Sequence, residues 1–208
     1  MRIYLAVLSL GLALFHEDSL FAQNAEISSV TQTDGSLKKQ LEEVFSIHQR
    51  LRAQRDSIEA AADPNSPQIK KIHQQIKEAD ARHLALVESV LTKQGWPTKK
   101  QVGHFGGLAA FVTIQQADIA VQEKYLPMIR QATLQGDLSP MGYVYMQDNI
   151  LVAKGKPQMF GTKTRINSTT KKQEFAPIED KAHVDERRAA FGLGPLADYA
   201  KRLGISYQ

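Results

Sequence analysis

In SLKKQLEEVFSIHQRLRAQRDSIEAAADPNSPQIKKIHQQIKEADARHLALVESVL (residues 36–91) apolar residues recur every three or four positions on both sides of one turn-forming break. Before the break the stripe is Leu37, Leu41, Val44, His48, Leu51 and Ile58, interrupted by Arg55; after it, Ile69, Ile72, Ile76, Ala79, His83, Leu86 and Val90. DPNSP (63–67) carries two prolines, which a continuous helix does not tolerate. The spacing predicts two helices that fold back as an antiparallel hairpin over residues 36–94 with a narrow apolar seam. Ser36 is placed to cap the first helix, and Gly95 with Pro97 ends the second.

If the turn is centred near residue 65, facing residues carry numbers summing to about 130, give or take a helical turn. His48 then lies near Asp80 and His83, Arg52 within reach of Asp80, and Asp56 near His73. His48, Asp80 and His83 are legitimate ligands for zinc. The simpler reading is an Asp80 pair with Arg52 or a histidine that holds the register, so no metal and no cofactor is assigned.

Beyond the hairpin, residues 95–208 read as a compact, mainly α region with a small β insert, and 36–208 as one domain. Leu108 to Ala117 has the composition of a buried helix; a second runs over about 119–135 with Pro127 inside it and Gly136 at its end. Ser139 and Pro140 are a good N-cap and first-turn pair for a short helix to about Gln147. NILVAK and PQMFGTKTRI flank Gly155 and read as a β-hairpin, with EFAPI (174–178) as a possible third strand. Asp180 or Asp185 is expected to cap the next helix, and Pro195 to start the last one.

Arg2, the run IYLAVLSLGLALF (3–15) and a small residue before a polar segment have the pattern of a secretory signal covering residues 1–22. The run spans only about 20 Å as a helix, short of a bilayer. Ala22, or alternatively Ala25, is the expected last residue removed. Residues 23–35 are polar, without periodicity, and read as a flexible tether. The expectation is a bacterial protein exported to the periplasm or beyond, with no integral membrane segment once the signal is cleaved. Of 26 basic and 22 acidic residues, cleavage removes Arg2, Glu17 and Asp18, leaving 25 and 20, a net charge of +5. The lysines are scattered or paired and no aromatics are interleaved for base stacking, so nucleic acid is not an expected partner. Without cysteine there are neither disulfides nor a lipidated N-terminal thiol.

Chemistry-bearing side chains concentrate in the turn-rich half, from YVYMQDNILVAKGKPQMFGT (143–162) through PIED (177–180) to VDERRAAFGLGPLADY (184–199). The ligand-binding candidates are Gln115, Asp118, Asp148, Gln158, Thr162, Asp180 and Arg187. Gln115 and Asp118 close an apolar helix, where Asp118 equally serves as an N-cap. Gln158 and Thr162 share one side of an extended segment by their even spacing. Asp118, Asp148 and Asp180 permit a general acid and base pair of the kind sugar hydrolases use. Arg187 and Arg188 suit an anion or a local carboxylate. The phosphate-loop spacing GxxxxGK[ST] is not met by GKPQMFGT, and neither GxSxG nor HExxH occurs.

Gly95-Trp96-Pro97, Gln115-Gln116-Ala117-Asp118, Gly155 to Lys163, Pro177 to Asp180, and Val184 to Arg188 with Gly192 to Leu196 follow one another in order. With these the chain resembles a bacterial domain-of-unknown-function family, number 6624, whose pattern runs GWP, QHAD, GKPQxYGTQ, PIED, VDERR. The resemblance covers most of the mature chain and implies a shared fold. It carries no activity, and three positions depart from it: Gln116 for histidine, Phe160 for tyrosine, Lys163 for glutamine. An amide does not titrate near neutral pH, so a base role for that histidine would not transfer to Gln116.

The leading functional expectation is a ligand-binding or interaction module whose polar pocket joins Gln115 and Asp118 to Asp148, Gln158, Thr162 and the PIED to DERR segment. Its ligand would be a small molecule or an envelope component. Catalysis is left open, with the weight against it. The alternatives are an envelope hydrolase using paired carboxylates, and a structural protein dimerising through the hairpin around Leu41 and Ile76.

Overall fold

A computed structural model of the chain describes residues 35–207; the signal over 1–22 and nearly all of the tether over 23–35 lie outside the described residues. The hairpin is formed by α1 (Gly35–Ala61) and α2 (Pro67–Gln94). Its turn is made by local hydrogen bonds: Asp63 accepts from the Asn65 amide at 2.8 Å, and Ser66 caps α2 at the Ile69 amide with Pro67 in the first turn. Near the tip Leu51, Ile72 and Ala79 form a small cluster. Toward the root Leu41, Val44, Val87 and Leu91 join a larger core with Val102, Phe111, Ile114, Ile129, Val144, Met146 and Phe160. Leu41 is fully buried there, which removes it from any dimer surface.

Packed against α1, α3 (Lys99–Gln116) begins with a reciprocal Thr98 and Gln101 capping box and bends at Gly103, whose φ of 71° suits glycine. Its buried run Gly106 to Phe111 is small enough for helices to approach closely; a Cβ on Gly106 would lie 3.6 Å from that of Leu41. Next come α4 (Ile119–Leu134), which accommodates Pro127, and α5 (Pro140–Ala153), packed together. The chain then leaves helical structure for β1 (Thr164–Ile166) and β2 (Gln173–Phe175), an antiparallel pair with Arg165 opposite Glu174. A 3-10 turn (Lys181–His183), α6 (Val184–Ala189) and α7 (Leu196–Leu203) complete the described fold. It is mainly helical with one small two-stranded sheet, as the periodicity predicts. No helix among the described residues is long and apolar enough to cross a membrane.

Three local expectations are corrected. NILVAK is not a strand: Asn149 to Ala153 are the last turn of α5, which runs well past Gln147. A short apolar run does not declare its period, and here Val144, Met146 and Ile150 all bury into the helical core. The hairpin partners are TRI and QEF, so the sheet has two strands, not three, and Gln158 makes only an isolated parallel bridge with Ile178. Neither Asp180 nor Asp185 caps α6. Asp180 adopts a left-handed φ of 42° without a capping bond, and Asp185 accepts from the Leu196 amide at 2.7 Å, capping α7 instead.

The hairpin seam carries a charge pair at its centre, Arg52 to Asp80 at 2.6 Å, beside buried His48 and His83. Burial drives the His48 imidazole from 6.5 down to about 4, with Arg52 pushing the same way and Asp80 opposing. His83 is lowered too, again chiefly by burial. The unfolded chain therefore takes up protons near pH 6.5 that the folded chain refuses until about pH 4. This stability is complete above pH 6.5 and is lost as the pH falls toward 4, about 3 kcal/mol from His48. Urea denaturation at pH 7 and pH 4 should show a drop that His48→Leu reduces by about that amount; an equal drop in both proteins would mean that His48 is not its source.

Candidate functional site

Asp148, in the last turns of α5, is fully buried, with carboxylate oxygens facing the loop that follows the helix. Gly155, at φ 69°, lets the chain reverse. Asp148 then accepts hydrogen bonds from the amides of Met159 (2.8 Å), Phe160 (3.0 Å) and Thr162 (2.9 Å) and from the Thr162 hydroxyl (2.9 Å). The intervening Gly161 has φ 71°, and a Cβ there would lie 2.7 Å from Leu196 Cδ1. Only glycine lets the neighbouring amides converge in this space. Burial raises the proton affinity of Asp148, while those four donors oppose the rise without cancelling it.

The carbonyls of the same loop point the other way, onto two arginines of α6. Arg187 Nε donates to Met159 O at 2.9 Å, and its Nη2 donates to the carbonyls of Glu179 and Asp180. Arg188 donates to Phe160 O and Gly194 O, each at 2.7 Å. Gln158 stitches the flanks together: its amide nitrogen donates to Lys163 O (2.8 Å) and Ala176 O (2.9 Å), and its oxygen accepts from the Lys163 amide (2.7 Å). Asp148, Gln158, Thr162 and Arg187 thus meet on the backbone of residues 158–163 and not on open space.

The remaining candidates stand apart. Asp180 is exposed and faces His183 at 2.8 Å and Arg187 at 3.8 Å. Asp118 occupies the N-cap position of α4 without a side-chain capping bond, and it is exposed. The carbonyls of Gln115 and Ala117 accept from buried Gln122, whose oxygen accepts from Asn149. The α3–α4 junction is therefore tied to α5 through Gln122 and Asn149, one residue from Asp148, and not through Gln115 or Asp118 side chains. For the hairpin trio, Arg52 takes Asp80, and among the described residues no three histidine or acidic side chains are disposed to hold a metal ion. His73 pairs with Glu59, not Asp56, which takes Arg55.

Three side chains outside the ligand-binding candidates have chemistry to spare. Tyr145 lies three residues before Asp148, on the same side of α5. Thr162 turns toward Asp148, and its neighbour Lys163 reaches over Tyr145 with Nζ 3.4 Å from the ring centroid. Desolvation drives the Lys163 amine from 10.5 down to about 7, with Asp148 opposing. It drives the Tyr145 phenol up to about 12, and the nearby Tyr199 adds to that rise. Tyr199 is itself raised by burial and lies under Arg188 and Arg202, at 5.3 and 5.6 Å from ring centroid to guanidinium carbon. Perturbed titrations converge here on one face. The readable signal in the sequence was the placement of Tyr145 relative to Asp148 and of Lys163 after Thr162; the burial of Lys163 had none.

Two classes of variant separate scaffold from surface. Asp148→Asn turns an amide nitrogen toward amide donors, and Gln158→Ala strands the Lys163 amide and the Ala176 carbonyl, the Lys163 carbonyl keeping its bond from the Ala176 amide; each should cost about 3 kcal/mol or more in urea denaturation. Asp180→Ala should cost less than about 1 kcal/mol. A Gln158→Ala protein of unchanged stability would contradict the scaffold role.

No curated protein and no solved structure matches the chain. Residues 35–208, most of its length, match the model of a family of unknown function, DUF6624, and the chain belongs to that family.

Proposed function

We propose that the protein is an exported binding module that takes a small, oxygen-rich ligand on the face formed by Tyr145, Lys163, Tyr199 and Arg202. One observation carries this reading: Lys163 Nζ rests on the Tyr145 ring while, among the described residues, no carboxylate or carbonyl pairs with it. The neighbouring arginines are engaged: Arg187 and Arg188 each donate to carbonyls of the loop and its flanks. The Lys163 amine and the two phenols offer donors to an anionic or carbonyl oxygen, and the rings offer apolar area. Export rests on residues 1–22 alone.

Paired-carboxylate hydrolysis is the weaker reading, because Asp148 cannot exchange a proton with substrate while four donors hold it away from water. Dimerisation through Leu41 would require opening the core.

Thermal-shift measurements at pH 7 against glucuronate, glyoxylate, inorganic phosphate and N-acetylglucosamine test the proposal. At least one oxyanion-bearing probe, at about a hundredfold over its Kd, should raise the melting temperature by about 3 °C or more. Lys163→Met, which leaves the backbone stitching intact, should abolish that shift. Equal shifts in both proteins, or none with any probe, would overturn the reading.

A further inference from the structure

We propose that the hairpin is an acid-sensitive arm: protonation of His48 and His83 opens its outer half as a unit, exposing the seam at Leu51, Ile72 and Ala79, while the root and the rest of the domain stay folded.

The packing divides the arm in two. Among the described residues, the outer cluster of Leu51, Ile72 and Ala79, with Ile47, Ile58 and Ile76 against it, is built from the two hairpin helices alone. The root is clamped from outside. Leu41, Val44, Val87 and Leu91 belong to the main core, and α3 lies along α1 there, with Gly106 against Leu41 and the Phe105 ring 5.3 Å from that of Phe45. Segments with few buried apolar contacts are the ones that open first in a folded protein. The polar layer sits where the two regions meet: His48 lies between Val44 and Leu51 along α1, and His83 between Ala79 and Val87 along α2.

That layer has no acceptor left for a further positive charge. His48, Arg52 and His83 are all buried, and Asp80, the carboxylate bonded within the layer, already takes Arg52 Nη2 at 2.6 Å. The other guanidinium nitrogen, Nη1, is buried without a hydrogen-bond partner among the described residues. The closed arm is thus short of acceptors before any imidazole is charged. The groups that act on His48 are Arg52, Asp80, His83 and Arg55; those that act on His83 are Asp80, Arg82, Arg52 and, most weakly, exposed Glu43. All of them sit on the two hairpin helices. Charging one imidazole sets two buried cations beside the Asp80 carboxylate, and charging both sets three. Opening returns every one of them to water.

The sign follows from burial, the largest influence on both rings, which drives His48 from 6.5 down to about 4 and lowers His83 as well. In the opened arm each imidazole regains its ordinary value, so each takes up a proton on opening at pH below 6.5. The arm is closed most firmly above pH 6.5 and loosens by about tenfold per pH unit for each imidazole as the pH falls toward its closed-state value.

The chain has no cysteine, so a single introduced thiol reports on its own site. Ala79→Cys places one in the outer seam, Ala132→Cys one in the main core, and Ser46→Cys an exposed reference. The full chain is labelled with a dithiodipyridine reagent, each rate being divided by that of the exposed reference at the same pH. From pH 6.5 to about pH 4.5 the relative rate at Ala79→Cys should rise at least about thirtyfold, the share that His48 alone supplies, while that at Ala132→Cys changes by less than about threefold. Adding His48→Gln and His83→Gln should reduce the rise at position 79 to less than about threefold. If circular dichroism shows that double variant unfolded, each single glutamine variant should still flatten the pH dependence. A parallel rise at positions 79 and 132 would mean global unfolding and overturn the proposal. So would a flat profile at position 79, or a rise that the glutamine variants leave undiminished.

Discussion

Residues 158–162 are a stretch of irregular backbone crossing the protein interior, and the Asp148 carboxylate makes that crossing possible. Buried amides and carbonyls must find partners, and this segment has almost none from regular structure. Asp148 satisfies three amides and a hydroxyl on one side, while Arg187 and Arg188 take two carbonyls on the other. Charge-assisted bonds of this kind contribute about 1.5–3 kcal/mol each, and removing one partner exposes a buried charge at a cost of about 3–5 kcal/mol. The last turn of α5, the loop and α6 are therefore one mechanical unit, and Gly161 is the hinge on which its geometry closes.

A consequence follows for function. The side chains that look most chemical in the sequence are those the scaffold consumes, because a polar residue placed to receive a ligand and one placed to pair with a backbone amide or carbonyl have the same identity. Asp148, Gln158, Thr162 and Arg187 all belong to the second kind. Lys163 takes part in the stitching through its backbone N–H and C=O alone, and its amine rests on the Tyr145 ring without an ion pair among the described residues.

The hairpin was legible from its sequence because a helical seam repeats over many turns, and the turn centre even located Arg52 against Asp80. The same arithmetic missed His73 by about one turn, since Glu59 and Asp56 lie three residues apart on one face and only side-chain geometry chooses between them. NILVAK failed for a related reason: four apolar residues fit either period, and the core beneath Ile150 decided the matter. In the site, the sequence identified residues that meet but not what they meet. The burial of Lys163 was illegible, since it depends on a tyrosine eighteen positions earlier whose direction is set by α5 packing.

This division of labour also explains how the face around Lys163 can be chemically demanding without endangering the fold. Holding a lysine amine out of water costs stability, and a marginal protein tolerates that only where other interactions fix the local backbone. Here Gln158 fixes residue 163 through its amide and carbonyl, and Asp148 fixes residue 162. The side chain at 163 is thus exempt from structural duty while its attachment point is held rigid, the condition under which an amine can be kept desolvated and aimed. A different side chain at 163 would keep the same loop and present different chemistry on the same face, so in the proposed binding role the scaffold fixes the place and residue 163, with Tyr145 beneath it, fixes the chemistry.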